Sequence, residues 1–380
     1  MKFSIISNNL TSVLNLRKDL LLDIQKKGYQ IHVLAPNLNE FEKEASLLKS
    51  IGFNLHEISL ARSGTNPIED LKTILSIYSA LRKIQPNAIL SYTIKPIIYG
   101  TLVASFLKIP KIFTLISGLG FAFQSTNESS QLGFVKKLVY FLYKKAINCS
   151  EKVFFQNDDD RQLLLDLNIL NNKTDTVTVN GSGVNLEKFK QVPLLFDESQ
   201  KQVLPYFVMV ARLLKDKGVF EYFYAAKALK NKYPEVIFNL VGGLDDNPAS
   251  LSQAELNDWI DSGVIKYWGK ISDVRPALAE SNIFVLPSYR EGVPRSTLEA
   301  MAMGRAIITT NAPGCKETVY DGKNGFKVTV QSVDELYEAM EKIILSPNAI
   351  VSMGQFSRKL AIEKYDVNKV NNHMIAEMRL

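Results

Sequence analysis

Short apolar runs separated by helix-length segments recur along the whole chain, and this alternation limits the fold more than any other feature. Runs such as Ile283–Leu286 are apolar at every position, which is typical of a strand buried on both faces of a parallel sheet. Parallel strands need crossover connections, and the intervening helical segments supply them. The sequence therefore predicts an α/β fold built from Rossmann-like layers.

Two such layers are expected, because a chain of 380 residues is too long for one ordinary domain. The alternation is interrupted around Pro193 and Asp197 and then restarts. Asp366 has the residue type and position to cap a final helix. We predict a first domain over 1–190, a linker over 191–203, a second domain over 204–362 and a terminal helical segment over 363–380.

Strand candidates share apolar runs that end at polar or glycine-containing loops. In the first half they are Lys2–Ile6, Gln30–Ala35, Phe53–Ile58, Ala88–Ser91, Ile112–Ile116, Val153–Gln156 and Thr176–Val179. In the second half they are Tyr206–Val210, Val236–Val241, Ile265–Trp268, Ile283–Leu286, Ala306–Thr309 and Gly325–Val328. One helix is predicted over Val13–Lys27, because Gly28 is a usual C-terminal signal.

Positive charge is concentrated in the first half of the chain. Residues 1–190 hold 23 Lys and Arg against 16 Asp and Glu, whereas the remainder holds 22 against 23. The excess is largest in 61–152, with 12 basic and 4 acidic residues. An anionic partner follows for this half, and a membrane surface, a pyrophosphate and a nucleic acid all fit the charge.

The composition predicts a cytoplasmic protein. Cys149 and Cys315 give no disulfide framework and suit a reducing compartment. The strand-like sequence begins at Lys2, so no signal peptide is expected before the fold. No uninterrupted apolar stretch is long enough to span a bilayer.

Two glutamates, Glu291 and Glu299, follow the apolar run that ends at Leu286. Glu291 falls in the loop after that strand, and Glu299 falls about one turn into a helix predicted over Ser296–Met303. Open α/β sheets bind ligands at this edge. Carboxylates are strong acceptors for the hydroxyl groups of a sugar.

The segment from Ser288 to Gly304, SYREGVPRSTLEAMAMG, resembles the signature of retaining, nucleotide-sugar-dependent glycosyltransferases of family 4, which have the GT-B fold. The resemblance covers essentially the full length and is strongest over 206–320. It implies two Rossmann-like domains facing across a cleft, with a last helix that crosses back to the first domain. It also implies that Glu291 lies by the donor sugar and that Glu299 binds the ribose of the nucleotide.

Cationic residues after the first strand of the second domain extend this resemblance. Val210–Gly218 is similar to a family segment in which Arg and Lys hold the donor diphosphate, which assigns that role to Arg212 and Lys217. Fixed cations would stabilise the leaving diphosphate without a metal ion. Together with Glu291 they are the expected catalytic residues.

Further donor contacts are expected from loops at the same edge. These are Gly242 and Gly243, whose backbone can approach a ligand closely, and the amides of Gly292 and Val293 before a helix. A tight turn or an ordinary loop explains these four residues equally well. The resemblance also implies that the segment around Lys270 lies beside the base.

The acceptor is expected on the first domain, at Asn9, Lys95, Ser117 and Gly118, each after a predicted strand. Lys95 can pair with a pyrophosphate. Residues 61–67 and 117–123, together with the second-domain loops, are similar to the bacterial branch that extends undecaprenyl-diphosphate-linked sugars. The expected substrates are therefore a UDP-sugar, with N-acetylgalactosamine favoured, and a lipid-linked saccharide. Nucleic acid is not an expected partner.

The segment from Phe134 to Ile147 reads as a basic, aromatic-rich helix. Such a helix can lie on an anionic membrane with its lysines at the headgroups, which here would be Lys136, Lys137, Lys144 and Lys145. A core helix with solvated lysines is the competing interpretation. Membrane contact predicts a peripheral protein on the inner face of the cytoplasmic membrane.

No metal site or cofactor is expected. The cluster Asp158–Asp160 begins a helix, where acidic residues complement the helix dipole. His32, His56 and His373 suit packing or the surface, and no His or Cys cluster has the spacing of metal ligands.

Two other functions share parts of this pattern. A UDP-N-acetylglucosamine 2-epimerase has the same fold, but it needs catalytic acids and a histidine that the sequence does not place. A non-catalytic sugar-nucleotide-binding subunit would not need Arg212, Lys217, Glu291 and Glu299 together. A Rossmann dehydrogenase would need a Gly-x-Gly-x-x-Gly after its first strand, which is lacking.

Overall fold

The computed structural model describes residues 1–60, 66–119, 130–199, 202–245 and 247–380, with the backbone alone for 130–136. The chain forms two compact units. Unit 1 comprises Met1–Ser182 together with Val370–Leu380, and unit 2 comprises Gly183–Lys369. Each unit contains one parallel sheet covered by helices.

The sheet of unit 1 has seven parallel strands in the order β3-β2-β1-β4-β5-β6-β7. The strands are β1 (Lys2–Ile6), β2 (Gln30–Ala35), β3 (Asn54–Glu57), β4 (Ala88–Tyr92), β5 (Lys111–Ile116), β6 (Lys152–Phe155) and β7 (Thr176–Thr178). The helices are α1 (Leu10–Leu16), α2 (Lys18–Lys26), α3 (Glu42–Ser50), α4 (Pro67–Ile84), α5 (Thr101–Phe106), α6 (Ser130–Asn148) and α7 (Asp158–Asp166).

The helices of unit 1 cover both faces of its sheet, because the strand order reverses direction between β1 and β4 and right-handed crossovers then change side. Val13, Leu21 and Leu48 of α1, α2 and α3 belong to one apolar cluster. Leu81 of α4 and Ala104 of α5 belong to another, which lies against the same sheet. Helix α5 also contacts α6, so α4, α5 and α6 form a continuous layer.

Unit 2 repeats the arrangement with six parallel strands in the order β10-β9-β8-β11-β12-β13. They are β8 (Phe207–Val210), β9 (Phe238–Val241), β10 (Lys266–Tyr267), β11 (Ile283–Leu286), β12 (Ala306–Thr310) and β13 (Gly325–Val328). The helices are α8 (Val219–Lys232), α9 (Gln253–Asp261), α10 (Arg275–Ala279), α11 (Arg295–Ala302), α12 (Val333–Leu345), α13 (Ala349–Lys364) and α14 (Val367–Glu377), of which α14 ends in unit 1.

The final helix returns to unit 1, as the resemblance implies. Val370 and Met374 are buried in the apolar cluster formed by α1, α2 and α3. Lys152 forms an ion pair with Glu377, which holds the end of α14 against β6. Asp366 caps the helix as predicted, because its Oδ1 accepts the Asn368 amide at 2.9 Å.

The division of the chain differs from the predicted one. Unit 2 begins at Gly183, and the segment 191–203 is packed onto this unit. The Leu195 amide donates to Asn282 Oδ1 at 2.9 Å, and Val203 is fully buried in the core of unit 2. Polar residue types suggested a linker, but tertiary contacts make the segment part of the second unit.

Every predicted strand is present, and its ends agree with the prediction to within two residues. The predicted helix Val13–Lys27 is instead two helices that break at Arg17 (φ −126°, ψ −13°). The Arg17 guanidinium is buried 5.1 Å from the centre of the Tyr92 ring, and its Nη1 donates to Ser182 Oγ at 3.1 Å. Burial of this side chain accompanies a backbone break that local helix propensity does not predict.

Candidate active site

The loops after β8 and β11 lie side by side at the carboxyl edge of the unit 2 sheet. β8 and β11 are neighbours in the sheet, although β9 and β10 lie between them in the sequence. From β8 the chain adds β9 and β10 on one side, and from β11 it adds β12 and β13 on the other side. A crevice forms at such a reversal, and it is the usual ligand site of an open α/β sheet. Both predicted groups of residues, Arg212–Gly218 and Pro287–Val293, fall in these two loops.

An ion pair joins the two loops. Lys217 Nζ lies 2.6 Å from Glu291 Oε1, and their side chains are only 15% and 18% exposed. Ser288 Oγ also lies 3.0 Å from Glu291 Oε1. Burial lowers the pKa of Lys217, but the charge and hydrogen bond of Glu291 outweigh burial and leave the pKa raised. Lys217 is therefore a fixed ammonium ion at neutral pH.

Backbone contacts hold the same loops in register. The Tyr289 amide donates to the Asp216 carbonyl at 2.9 Å, and Ser288 Oγ lies 3.0 Å from the same carbonyl, so its single hydrogen can go to this carbonyl or to Glu291. Gly218 ends the first loop with φ +74°, and a Cβ there would collide with the Pro287 carbonyl. Glycine is thus required both for the backbone conformation and for the close approach of the loops.

A third loop, after β12, supports Glu291 from behind. The Glu291 amide donates to the Pro313 carbonyl at 3.0 Å. Gly314 has φ +81°, and a Cβ on it would overlap the carbonyls of Glu291 and Gly292. Burial, with a smaller contribution from the charge of Glu291, raises the pKa of Cys315 to about 12, so this thiol stays protonated. This loop lies outside the predicted site segments.

Glu299 lies on α11, one turn after its first residue, as predicted. Its Oε1 accepts from Arg295 Nε at 3.0 Å, and its side chain is 14% exposed. Burial raises the pKa of Glu299, and the charge of Arg295 partly offsets this effect. Arg295 was missed, although its position four residues before Glu299 on a helix is a readable signal for pairing.

Arg212 is the most accessible cation of the group. Its side chain is 52% exposed, and Nη1 lies 3.0 Å from Asp245 Oδ2 in the loop after β9. Exposed pairs of this kind contribute about 0–1 kcal/mol, so an anion can compete for the guanidinium at small cost. Asp245 is a second residue that sequence reasoning missed.

The other predicted donor contacts lie in neighbouring loops. The Gly242 amide donates to the Gly269 carbonyl at 3.0 Å, and the Lys270 side chain packs against Gly243. Gly292 is buried, and Val293 packs against the core of unit 2. Their roles toward a ligand stay predictions.

The corresponding edge of unit 1 carries the predicted acceptor residues. Asn9 caps α1 by accepting the Ser12 amide at 3.2 Å. Lys95 pairs with Asp70 at 2.9 Å, so its charge is already balanced within unit 1. Ser117 and Gly118 follow β5, with Gly118 at φ +115°. Acceptor binding by these residues stays a prediction.

A polar network that was not predicted lies between the loops after β1 and β4. Tyr92 Oη is 2.7 Å from both Ser7 Oγ and Ser12 Oγ. The next residue, Thr93, has φ +69°, which is a strained conformation for a β-branched residue. Its Oγ1 is buried and makes no hydrogen bond with the described residues. Strain of this kind is often found at functional sites, and open α/β sheets in general bind ligands at this edge.

The remaining predicted residues concern the membrane surface, the acidic cluster and two sequence motifs. Lys137, Lys144 and Lys145 are exposed on α6, and the side chain of Lys136 lies outside the described residues. The motif at 61–65 and residues 120–123 also lie outside them. Asp158–Asp160 occupy the first turn of α7, where the Asn157 side chain accepts the Asp160 amide.

Among the described residues, no group of three or more His, Cys, Asp or Glu side chains could hold a metal ion. Within the same residues, no helix has the length and apolar character needed to cross a membrane.

Comparison with known families identifies the class of protein. The model described as "Glycosyl transferases group 1" matches residues 204–346, and the model "Glycosyl transferase 4-like" matches residues 8–157. The matches fall on unit 2 and unit 1, respectively. The chain is therefore a glycosyltransferase with the GT-B fold, and it is a hexosyltransferase.

Individual relatives agree with this assignment. The chain is 28% identical over 382 residues to the N,N'-diacetylbacillosaminyl-diphospho-undecaprenol alpha-1,3-N-acetylgalactosaminyltransferase of Campylobacter jejuni, covering 96% of this chain and 97% of the relative. It is 27% identical to the Escherichia coli UDP-Gal:alpha-D-GlcNAc-diphosphoundecaprenol alpha-1,3-galactosyltransferase, over 73% of this chain and 71% of that protein. HepE of Anabaena, solved in complex with UDP, shares the fold with a TM-score of 0.75 at 16% identity, covering both chains fully.

Proposed function

We propose that this enzyme transfers an N-acetylhexosamine, with N-acetylgalactosamine favoured, from a UDP-sugar to a hydroxyl group of an undecaprenyl-diphosphate-linked saccharide. The α configuration of the donor is retained in the product. The two curated relatives support the substrate classes, since both are named for transfer to sugars on a diphosphoundecaprenol carrier. The product would serve the synthesis of a surface polysaccharide or glycan.

The observation that carries the proposal is the grouping of two cations and two carboxylates at one edge of the unit 2 sheet. Lys217 and Glu291 form a pair in the loops after β8 and β11, Arg212 lies in the first of these loops, and Glu299 lies on the helix after the second. A nucleoside diphosphate sugar presents hydroxyl groups at both ends and negative charge in the middle. Carboxylates and cations are the matching partners for these groups.

The donor contacts follow from this match. Glu299 accepts hydrogen bonds from the ribose hydroxyls, and Arg295 keeps its carboxylate oriented. Arg212 and Lys217 bind the diphosphate, and Glu291 faces the sugar. A diphosphate near Lys217 attracts the ammonium that Glu291 holds, which frees carboxylate oxygens of Glu291 for a sugar hydroxyl.

The chemical step needs no covalent intermediate on the protein. The bond between the sugar C1 and the β-phosphate oxygen breaks, and negative charge develops on the departing UDP. Arg212 and Lys217 stabilise this charge in place of a metal ion or cofactor. The acceptor hydroxyl attacks C1 from the face that UDP leaves, and its proton passes to the β-phosphate. The sugar thereby keeps its anomeric configuration.

Unit 1 is assigned to the acceptor. Its carboxyl edge carries Asn9, Lys95, Ser117 and Gly118, together with the strained Thr93. Because the acceptor is anchored in a bilayer, the enzyme works as a peripheral protein on the inner face of the cytoplasmic membrane, with the lysines of α6 toward anionic headgroups.

A panel of nucleotide sugars tests the proposal. The enzyme is incubated with undecaprenyl-diphosphate-linked N-acetylhexosamine and with each of several UDP-, GDP- and ADP-sugars, and the lipid products are separated and analysed by NMR. Transfer from a UDP-N-acetylhexosamine with an α-linkage is the expected result. A β-linkage, or transfer only from a GDP- or ADP-sugar, contradicts the proposal. Conversion of UDP-N-acetylglucosamine to its manno epimer without acceptor would show an epimerase instead.

A further inference from the structure

The helical layer formed by α4, α5 and α6 has an unusual outer surface. Its inner side is an ordinary core: Leu81 of α4, Ala104 of α5 and Ile147 of α6 are buried against the unit 1 sheet. Neighbouring helices in the layer contact each other, α4 with α5 and α5 with α6. The outward faces of the three helices are therefore one continuous surface, which we call the α4–α6 surface.

Large apolar side chains lie on this surface instead of facing the core. On α4, Ile68, Leu71 and Leu75 are 66%, 56% and 58% exposed, and their spacing puts them on one face of the helix. At the end of α5, Phe106 is 76% exposed, and its ring centre lies 6.1 Å from that of Tyr78 on α4. The apolar stripe of α4 therefore continues onto α5.

Helix α6 adds to the same surface. Leu138 and Phe141 are 47% and 56% exposed. Among the described residues, six of the fourteen large apolar side chains that are exposed lie on these three helices. Single exposed apolar residues are common, but a concentration of them marks an interaction site.

The charges of these helices are mainly positive. Within α4, α5 and α6 the sequence has seven Lys and Arg residues and two acidic residues, Glu69 and Asp70. Glu69 pairs with Lys72 at 2.8 Å, and Asp70 pairs with Lys95. Helix α6 contains no acidic residue, and its Lys137 and Lys144 are exposed. The partner of this surface must therefore combine an apolar interior with negative charge at its boundary.

We propose that the α4–α6 surface docks on an anionic phospholipid bilayer, with Ile68, Leu71, Leu75 and Phe106 entering the boundary between headgroups and acyl chains. The lysines and arginines around them bind the headgroups. The inference rests on the proposed function, since a lipid-linked acceptor brings the enzyme to such a bilayer. It adds an apolar anchor on α4 and α5 to the lysines of α6.

Vesicle flotation of the full chain tests the surface directly. Wild type is compared with Ile68→Ser/Leu71→Ser/Leu75→Ser on vesicles of equal parts phosphatidylcholine and phosphatidylglycerol, and on phosphatidylcholine alone. We expect wild type to bind the anionic vesicles selectively and the triple variant to bind them more than about tenfold more weakly. The matched control is Tyr224→Ser/Leu345→Ser/Ile362→Ser, which removes apolar side chains of 51%, 65% and 41% exposure from unit 2.

A second variant tests the contacts between the α6 lysines and the lipid headgroups. Lys137→Gln/Lys144→Gln/Lys145→Gln should weaken binding to anionic vesicles by about fivefold for each lysine that reaches the headgroups, and should reduce its salt dependence. A circular-dichroism melt of each variant confirms that it is folded.

Transfer assays separate this inference from the proposed function. With a water-soluble acceptor analogue, the α4 triple variant should keep wild-type activity, whereas with acceptor in vesicles it should be less active. If wild type transfers no sugar, the proposed function fails, but flotation still shows whether the α4–α6 surface binds a bilayer. Unchanged flotation of the α4 variant, an equal loss in the unit 2 control, or equal binding to neutral vesicles overturns the proposal. So does a wild-type dimer that the α4 variant converts to monomer without a change in flotation.

Discussion

The division of labour within the donor site gives the sharpest prediction, because Glu299 and Arg212 are assigned to different parts of one ligand. Glu299 is assigned to the ribose, which uridine and UDP share. Arg212 is assigned to the diphosphate, which uridine lacks. Substitution of Glu299 should therefore lower the affinities for uridine and UDP equally, whereas substitution of Arg212 should lower the affinity for UDP alone.

The magnitudes follow from the two environments. Hydrogen bonds to charged groups contribute about 1.5–3 kcal/mol to binding. Binding of UDP must also open the half-exposed Arg212–Asp245 pair, which costs at most about 1 kcal/mol. The net contribution is the difference, so Arg212→Ala should weaken UDP binding by about 0.5–3 kcal/mol, or about 2- to 150-fold. In Glu299→Gln an amide still accepts hydrogen bonds, so the loss should be about 1–2 kcal/mol for both ligands.

Isothermal titration calorimetry with UDP and uridine measures both effects. Glu341→Gln is the matched control, because Glu341 also forms an ion pair in unit 2, with Lys232 at 2.8 Å, and has no assigned ligand. It should leave both affinities unchanged. A Glu299→Gln enzyme that loses UDP affinity but keeps uridine affinity would refute the ribose assignment. An Arg212→Ala enzyme that loses uridine affinity would refute the diphosphate assignment.

Three further predictions concern stability and the acceptor edge. Glu291→Gln should lower the free energy of unfolding of unit 2 by about 1.5–3 kcal/mol, because Lys217 loses its charged partner; an unchanged melting temperature would contradict this. Burial, with a smaller contribution from His56, lowers the pKa of His32 to about 4, so stability is full above the ordinary value of about 6.5 and falls as the pH drops toward 4. His32→Gln should flatten this part of the melting-temperature profile against pH, and an equally steep profile would argue against a lowered pKa of His32. Thr93→Gly should raise the melting temperature by relieving φ +69° but raise KM for the acceptor and not for the donor; a shift in donor KM alone would count against an acceptor role.

Much of the fold could be predicted because its cause is local. Strands such as Ile283–Leu286 are apolar at every position, and only a strand covered on both faces explains that pattern in a chain with helical connections. The break at Arg17 was not predictable, because it accompanies packing against Tyr92, far away in sequence. The packing of 191–203 onto unit 2 depends in the same way on Asn282.

The candidate site was predicted in part for the same reason. Glu291, Glu299, Arg212 and Lys217 could be chosen from their positions after strands and from a family resemblance. The pairing of Lys217 with Glu291 joins residues 74 apart in sequence, and it depends on β8 and β11 being neighbours. No local pattern contains that information. The pairing of Arg295 with Glu299 was available from helical spacing.

A crystal structure of the enzyme with UDP tests the central claim most directly. The claim predicts UDP at the carboxyl edge of the unit 2 sheet, with the ribose hydroxyls within hydrogen-bonding distance of Glu299 and the diphosphate in contact with Arg212 and Lys217. UDP bound at that edge with its ribose away from Glu299, or bound to unit 1, would contradict the account.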